Sequence, residues 1–336
     1  MQNMKAYIIK KYGKKEHLQL VELPEPLLSD NDILVRVHSA ALNPLDSKIK
    51  NGDFKLILPY KLPLVLGHDV AGEVIRIGSR VHKFQVGDRV YSRPADHRIG
   101  AFAELIAIHE DDAAIMPKNL TMEEAASIPL VGLTAWQALI EKAGLTEGQK
   151  VFIQAGSGGV GAFAVQLAKY LGATVATTAG AANFEMVQSL GADIVIDYRQ
   201  EDFEEKLKDF DVVLNSQDAA TLEKSLSVLK RGGKLVSISG PPDADFANEI
   251  GASWLLKSVF KVLSLGIRRK AKRRGVSYSF LFMRAQGAQL DRITSLIESG
   301  KIRPVVDKVF PFEMLDEALA YVESGRVKGK VVLKMR

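Results

Sequence analysis

Lys150-Val-Phe-Ile-Gln-Ala-Gly156-Ser157-Gly158-Gly159-Val160-Gly161-Ala-Phe-Ala-Val-Gln-Leu167 is the stretch on which the fold turns. An apolar run of strand character leads into G-x-G-x-x-G, and an apolar helical run follows. In such a turn the first glycine makes the bend and the second lets backbone N–H groups approach a pyrophosphate. The third lets the helix pack on the strand, and the helix N-terminus adds a partial positive charge for phosphate. A bare glycine turn also occurs as plain structure. Here the strand before it, the helix after it and a second strand at Thr174–Thr178 all agree, so Gly156, Ser157, Gly158, Gly159, Val160 and Gly161 are expected to hold a dinucleotide.

Specificity is read at the end of that second strand. An NAD site ordinarily carries Asp or Glu there to bind the ribose 2′-hydroxyl. This chain has Ala176-Thr-Thr-Ala-Gly180 instead. No carboxylate stands in the way of a 2′-phosphate, and Thr177 and Thr178 can donate to one. NADPH is therefore the expected cofactor. Asn183 and Tyr198 are candidates to complete the pocket, although Asn183 also suits a helix N-cap. The nearest cation is Arg199.

Outward from this unit, apolar strands alternate with helices that stop at Gly172 and Gly191. Ile194–Asp197, Val212–Asn215, Lys234–Ser239 and Ser277–Met283 supply four more strands. The pattern predicts an α/β fold with a doubly wound parallel sheet of six strands over residues 126–283. The first 120 residues read differently, as short β runs broken by Gly and Pro: Ile33–His38, Asp69–Ile77, Asp88–Ser92 and Phe102–Ile108. After Met283 come a helix, a Pro304-Val-Val-Asp strand, another helix and a last strand at Lys330–Lys334. The sheet is already complete, so this tail is expected to return to the β-rich unit, giving residues 1–125 with 284–336 as one domain.

Composition narrows the chemistry. The chain of 336 residues has 47% hydrophobic and 25% charged residues, which suits two globular domains, and it has no cysteine. That excludes disulfides, thiolate nucleophiles and every cysteine-containing zinc site. No run is long and apolar enough to span a bilayer. The N-terminus lacks a signal-peptide pattern, so a cytoplasmic location is expected. The net charge is +5, yet Lys257, Lys261, Arg268, Arg269, Lys270, Lys272, Arg273 and Arg274 all lie between Trp254 and Val276 with no acid among them. Without those eight cations the rest carries −3, so general nucleic-acid affinity is not expected. Leu256, Val259, Phe260, Leu263 and Ile267 recur at helical spacing within the strip. Residues 254–276 could thus make weak peripheral contact with an anionic membrane, or form an ordinary solvated face.

The motifs in order resemble the medium-chain dehydrogenase/reductase superfamily, in its zinc-free quinone oxidoreductase and enone reductase branch. They are Ala41-Leu-Asn-Pro-Leu-Asp46, Leu66-Gly-His-Asp-Val-Ala-Gly-Glu-Val74, Val86-Gly-Asp-Arg-Val90, Gly100-Ala-Phe-Ala-Glu104, Ile128-Pro-Leu-Val-Gly-Leu-Thr-Ala135 and the glycine turn. The resemblance implies a GroES-like catalytic domain interrupted by a Rossmann domain, in a homodimer. Where zinc alcohol dehydrogenases place Cys, His and Cys, this chain has Asn43, His68 and Leu130, so no metal site is expected. His68 then reads as structural; an oxygen-rich site of Asp46, His68 and Asp69 is the lesser alternative. A tyrosine that often follows the Asn-Pro-x-Asp motif is replaced by Lys48. By resemblance, Thr134 lies near the nicotinamide, Ser239, Gly240, Phe280 and Phe282 line its carboxamide, and Lys330 approaches the pyrophosphate. Asn43 is the candidate to orient the substrate carbonyl or the nicotinamide, unless it is a loop cap. Tyr60, Tyr278 and Phe282 are candidates for an apolar pocket wall or for core.

Without a Lewis acid, acceptors that need little polarisation fit best. These are apolar quinones and α,β-unsaturated ketones or aldehydes, reduced with NADPH. A zinc-free alcohol dehydrogenase or carbonyl reductase is the alternative, and a membrane-docked protein a further one.

Overall fold

A computed structural model describes residues 3–55 and 57–335. The chain forms two compact units, one up to Leu133 and again from Arg284, the other Thr134–Met283. The division runs through the Pro129–Trp136 helix.

The second unit holds β1 (Lys150–Ile153), β2 (Thr174–Ala179), β3 (Ile194–Asp197), β4 (Phe210–Asn215), β5 (Leu229–Ser237) and β6 (Ser277–Phe280). All pair in parallel, in the order β3-β2-β1-β4-β5-β6. That is the doubly wound order, whose topological switch point lies between β1 and β4. Val151, Phe152 and Ile153 are buried on both faces, as are Val212, Val213 and Leu214. Parallel strands covered on both sides need such continuous apolar runs rather than alternation. The Gly159–Tyr170 helix has eight buried residues, from Gly161 to Ala168, and lies on β1 and β2.

The first unit is mostly β. Its longest strand, Asp32–Leu42, pairs antiparallel with Asp69–Ile77, Leu105–His109 and Lys330–Lys334. The C-terminal tail does return here. Val331 stands opposite Leu42 and Ala41 opposite Asp69, so three strands separated widely in sequence meet beside Asn43. The two units are thus a GroES-like, mostly β unit and an α/β Rossmann unit.

The basic segment departs from its expected pattern. It is two helices, Trp254–Leu263 and Leu265–Arg274, separated at Ser264. Phe260 and Ile267, expected on an outward apolar stripe, are buried. Phe260 stacks on Phe246 with ring centroids 5.8 Å apart, so it belongs to the core.

Candidate functional site

In the Rossmann unit, the glycine turn is fixed by close backbone approach. A Cβ on Gly156 would lie 2.2 Å from Thr177 Oγ1, and one on Gly161 2.1 Å from the Ala155 carbonyl oxygen. Neither position admits a side chain without displacing backbone or strand. Gly158 is different, since its nearest contact would be at 3.4 Å, and it keeps the loop open above the first amides of the Gly159–Tyr170 helix. Thr178 braces the turn: its hydroxyl accepts from Ala155 N–H at 3.0 Å and its carbonyl from Gly156 N–H at 2.9 Å. Thr177 is buried and donates to the Ile153 carbonyl at 2.6 Å.

Beyond β2 the chain leaves room. A Cβ on Gly180 would sit 3.8 Å from the Tyr198 ring and 3.9 Å from Arg199 Cζ. The Arg199 guanidinium lies 5.5 Å from the centroid of the exposed Tyr198 ring. Asn183 occupies the N-cap position of the Phe184–Ser189 helix, but its side chain makes no capping bond. Its Oδ1 is buried and has no partner among the described residues. An orphaned amide oxygen, a hydroxyl, an exposed tyrosine and a cation around a glycine fit a ribose bearing a phosphate. The residues present therefore suit a nicotinamide dinucleotide.

A buried polar chain crosses the carboxyl ends of β1, β4 and β5. Asn215 Nδ2 donates to Gln154 Oε1 at 2.7 Å, and Ser237 Oγ donates to Asn215 Oδ1 at 2.6 Å. Ser237 Oγ then accepts from Gly240 N–H at 2.8 Å, and Ser239 Oγ also reaches Asn215 Oδ1 at 3.2 Å. Gln154, Asn215 and Ser237 were missed in the sequence, yet the signal was there: each ends a strand's apolar run with one polar residue. Ligands of open α/β sheets bind at these strand ends, and the chain fixes Ser239 and Gly240 there. Tyr278 is buried under the same loop, donating to the Pro241 carbonyl at 2.7 Å. The Phe280 N–H donates to Asp243 Oδ2 at 2.9 Å, and its ring meets Phe246 edge-on at 5.1 Å. Phe282 packs on Phe246 at 5.8 Å. Tyr278, Phe280 and Phe282 therefore belong to the packing of the Rossmann unit. Thr134 is buried at the beginning of this unit.

The GroES-like unit brings Asn43, Asp46, His68, Asp69, Leu130 and Lys330 together. Asn43 ends the Asp32–Leu42 strand and precedes Pro44, whose fixed φ suits the first position of the Pro44–Asn51 helix. Asp46 accepts from Asn43 N–H at 2.8 Å with one oxygen and contacts His68 Nδ1 at 2.6 Å with the other. Asn43 Nδ2 donates to Asp69 Oδ2 at 2.9 Å, and Leu130 N–H donates to Asp69 Oδ1 at 2.7 Å. Lys330 Nζ donates to Asn43 Oδ1 at 2.5 Å, to the Leu42 carbonyl at 2.9 Å and to Asp69 Oδ2 at 3.0 Å. All three ammonium hydrogens are thereby used. Asn43, Asp46, His68, Asp69 and Lys330 are all buried. His68 Nε2 has no partner among the described residues.

A zinc ion does not fit this cluster. Leu130 offers no donor atom, the Asn43 amide nitrogen faces a carboxylate, and a lysine cation already neutralises Asp69. Among the described residues no group of three or more His, Asp or Glu is placed to hold a metal. Tyr60, in the same unit, is half-buried with its ring 6.2 Å from that of His97. Its Oη is buried without a partner among the described residues. Burial, with Asp96 adding its negative charge, pushes the phenol pKa well above the ordinary tyrosine range. The hydroxyl stays a proton donor at any physiological pH.

Comparison with known proteins agrees with this architecture. A family model described as an alcohol dehydrogenase GroES-like domain matches residues 29–119, and one described as a zinc-binding dehydrogenase matches residues 190–333. The zebrafish protein named NAD(P)H oxidoreductase RTN4IP1, mitochondrial, is 34% identical over 99% of this chain and 91% of its own. The chain belongs to the medium-chain dehydrogenase/reductase superfamily. Within it, the tomato protein named 2-methylene-furan-3-one reductase is 35% identical over 98% of this chain and 79% of its own. The quinone oxidoreductase of Coxiella burnetii superimposes with a TM-score of 0.87, at 32% identity, over 100% of both chains. As a member of this superfamily the protein is an oxidoreductase that uses a nicotinamide coenzyme, NAD(P)H. The expected cytoplasmic location is corrected by the same comparison. The zebrafish, mouse and human relatives are named as mitochondrial, and an N-terminus without a signal-peptide pattern does not distinguish these compartments.

Proposed function

We propose that the protein is an NADPH-dependent, zinc-independent reductase of quinones or of the double bond of α,β-unsaturated ketones and aldehydes. The observation that carries this reading is the Asn43–Asp69–Lys330 cluster, built around Asn43 where zinc alcohol dehydrogenases place the first cysteine ligand, with Leu130 in place of the second. It is a closed, charge-neutralised arrangement whose donors are spent on one another. An acceptor here must accept hydride without strong polarisation of a carbonyl by a metal, and quinones and enones do so.

The reduced coenzyme, when bound, supplies a hydride. On an enone that hydride would go to the β-carbon with the alkene electron pair displaced toward the carbonyl oxygen, and solvent would supply the proton at the α-carbon. Tyr60 is assigned to donate its O–H to the carbonyl oxygen as negative charge develops there. Asn43, clamped by Lys330 and Asp69, is assigned to keep this part of the unit rigid. Preference for NADPH over NADH is assigned to Thr178, Asn183, Tyr198 and Arg199 around Gly180. Thr134, Ser239 and Gly240 are assigned to the nicotinamide end. The outer edge of β6, which pairs with no strand among the described residues, suits strand-to-strand association into a homodimer.

Turnover of NADPH by chelator-dialysed enzyme across enones, quinones, ketones and alcohols tests the reading. Enones or quinones should be reduced at full rate, and Tyr60→Phe should lower enone kcat/KM by about 10²-fold, as for other oxyanion donors. Activity confined to alcohols and simple ketones would replace this reading by an alcohol dehydrogenase or carbonyl reductase. Loss on chelation with recovery on zinc addition would overturn metal independence.

A further inference from the structure

The Trp254–Leu263 helix turns outward a face that soluble proteins ordinarily cover. Trp254 is 78% exposed, Val262 69% and Leu255 60%, and Val259 and Leu263 are exposed beside them. At roughly 100° per residue, these five positions occupy one half of the helix, interrupted only by Ser258. The opposite side is anchored by Phe260 on Phe246, so the apolar half is left outside by a helix that is already docked.

The next helix, Leu265–Arg274, buries Ile267 and Ala271 and exposes Arg268, Arg269, Lys270, Lys272, Arg273 and Arg274. Lys270 pairs with Glu223 at 2.5 Å. The other exposed cations of this helix make no ion pair among the described residues. An uncovered apolar face thus adjoins a cationic helix without a single acid of its own.

We propose that residues 254–274 are a docking site for an anionic lipid surface. Trp254, Leu255, Val259, Val262 and Leu263 enter the boundary between headgroups and acyl chains, where indole and aliphatic groups are favoured. The arginines and lysines of the following helix meet the lipid phosphates. Charge complementarity selects this occupant. A second copy laid on the same face would bring two cationic helices together. A nucleic acid would satisfy the cations but has no use for the five apolar side chains. The inference is independent of the reading of the reaction.

Co-sedimentation of the full chain with vesicles of phosphatidylcholine alone, and of equimolar phosphatidylcholine and phosphatidylglycerol, tests it. The protein should bind the anionic vesicles and scarcely the neutral ones, and high salt should release it. Each exposed cation is expected to strengthen partition about fivefold at low salt. Replacing Arg268, Arg269, Arg273 and Arg274 by Gln should therefore weaken it about a hundredfold or more. Trp254→Ser with Leu255→Ser and Val262→Ser should weaken it about tenfold or more. In a Trp136→Phe background, emission from Trp254 should shift to the blue on anionic vesicles. Equal binding to both vesicle types, or binding to neither, would overturn the proposal. So would anionic-vesicle binding untouched by the serine substitutions, whether or not they dissociate a dimer in light scattering or leave retention on an oligonucleotide.

Discussion

The two candidate sites are built from different materials. In the Rossmann unit the core of the candidate coenzyme cradle is backbone, a turn of glycines and helix amides within Gln154–Gly180, beside the strand ends at Asn215 and Ser237. In the GroES-like unit the buried cluster is side-chain charge, and its ion pair joins Lys330 to Asp69 across 261 residues of sequence. The first kind of site fails when atoms are added, the second when charges are removed.

That contrast makes Lys330→Met the most damaging substitution. It leaves the Asp69 carboxylate buried without a counter-charge, and breaking a buried pair from one side costs about 3–5 kcal/mol. Chemical denaturation should show a loss of that size. Adding Asp69→Asn should restore part of it, because the orphaned charge is then gone. A single variant as stable as the parent would mean that the cluster admits water and is not closed.

Gly161→Ala breaks the other site. Its Cβ would lie 2.1 Å from the Ala155 carbonyl oxygen, so the turn or the helix must shift. A stability loss of about 1–3 kcal/mol is expected from such overpacking, with coenzyme affinity falling at least as steeply. Calorimetry and coenzyme titration measure the two effects. Unchanged coenzyme binding would show that the turn does not hold the dinucleotide.

Gly180→Asp should have the smallest effect on folding, since its Cβ meets only ordinary contacts. It places a carboxylate beside Arg199, competing for that cation and repelling a 2′-phosphate. The ratio of kcat/KM for NADPH to that for NADH should fall about tenfold, or 1.4 kcal/mol. Equal use of both coenzymes by the parent protein would sink the assignment of NADPH.

The Rossmann sheet was legible because parallel strands buried on both faces must be apolar throughout, and because glycine has no substitute at the tight turn. The strand ends were less legible. Gln154, Asn215 and Ser237 each look like a solvated residue closing an apolar run, and only the strand order makes them neighbours. Lys330 shows the limit more sharply. By resemblance it was expected at a pyrophosphate, and in the structure its ammonium is held by Asn43, Leu42 and Asp69. Likewise, helical spacing placed Phe260 and Ile267 on one outward stripe. The break at Ser264 and the ring of Phe246 turn both inward and leave Trp254, Leu255 and Val262 outside.

The sequence by itself determined the α/β class, the glycine turn between strand and helix, and the lack of cysteine ligands for zinc. Each of these depends on residues close together in the chain or on a residue type being absent. Only the tertiary structure decided which charges are neutralised, that the Asn183 side-chain oxygen is left without a partner among the described residues, and which half of a helix meets solvent. Burial and charge pairing depend on distance in space, and strands more than 250 residues apart bring Lys330 to Asp69 through a register that no local pattern encodes.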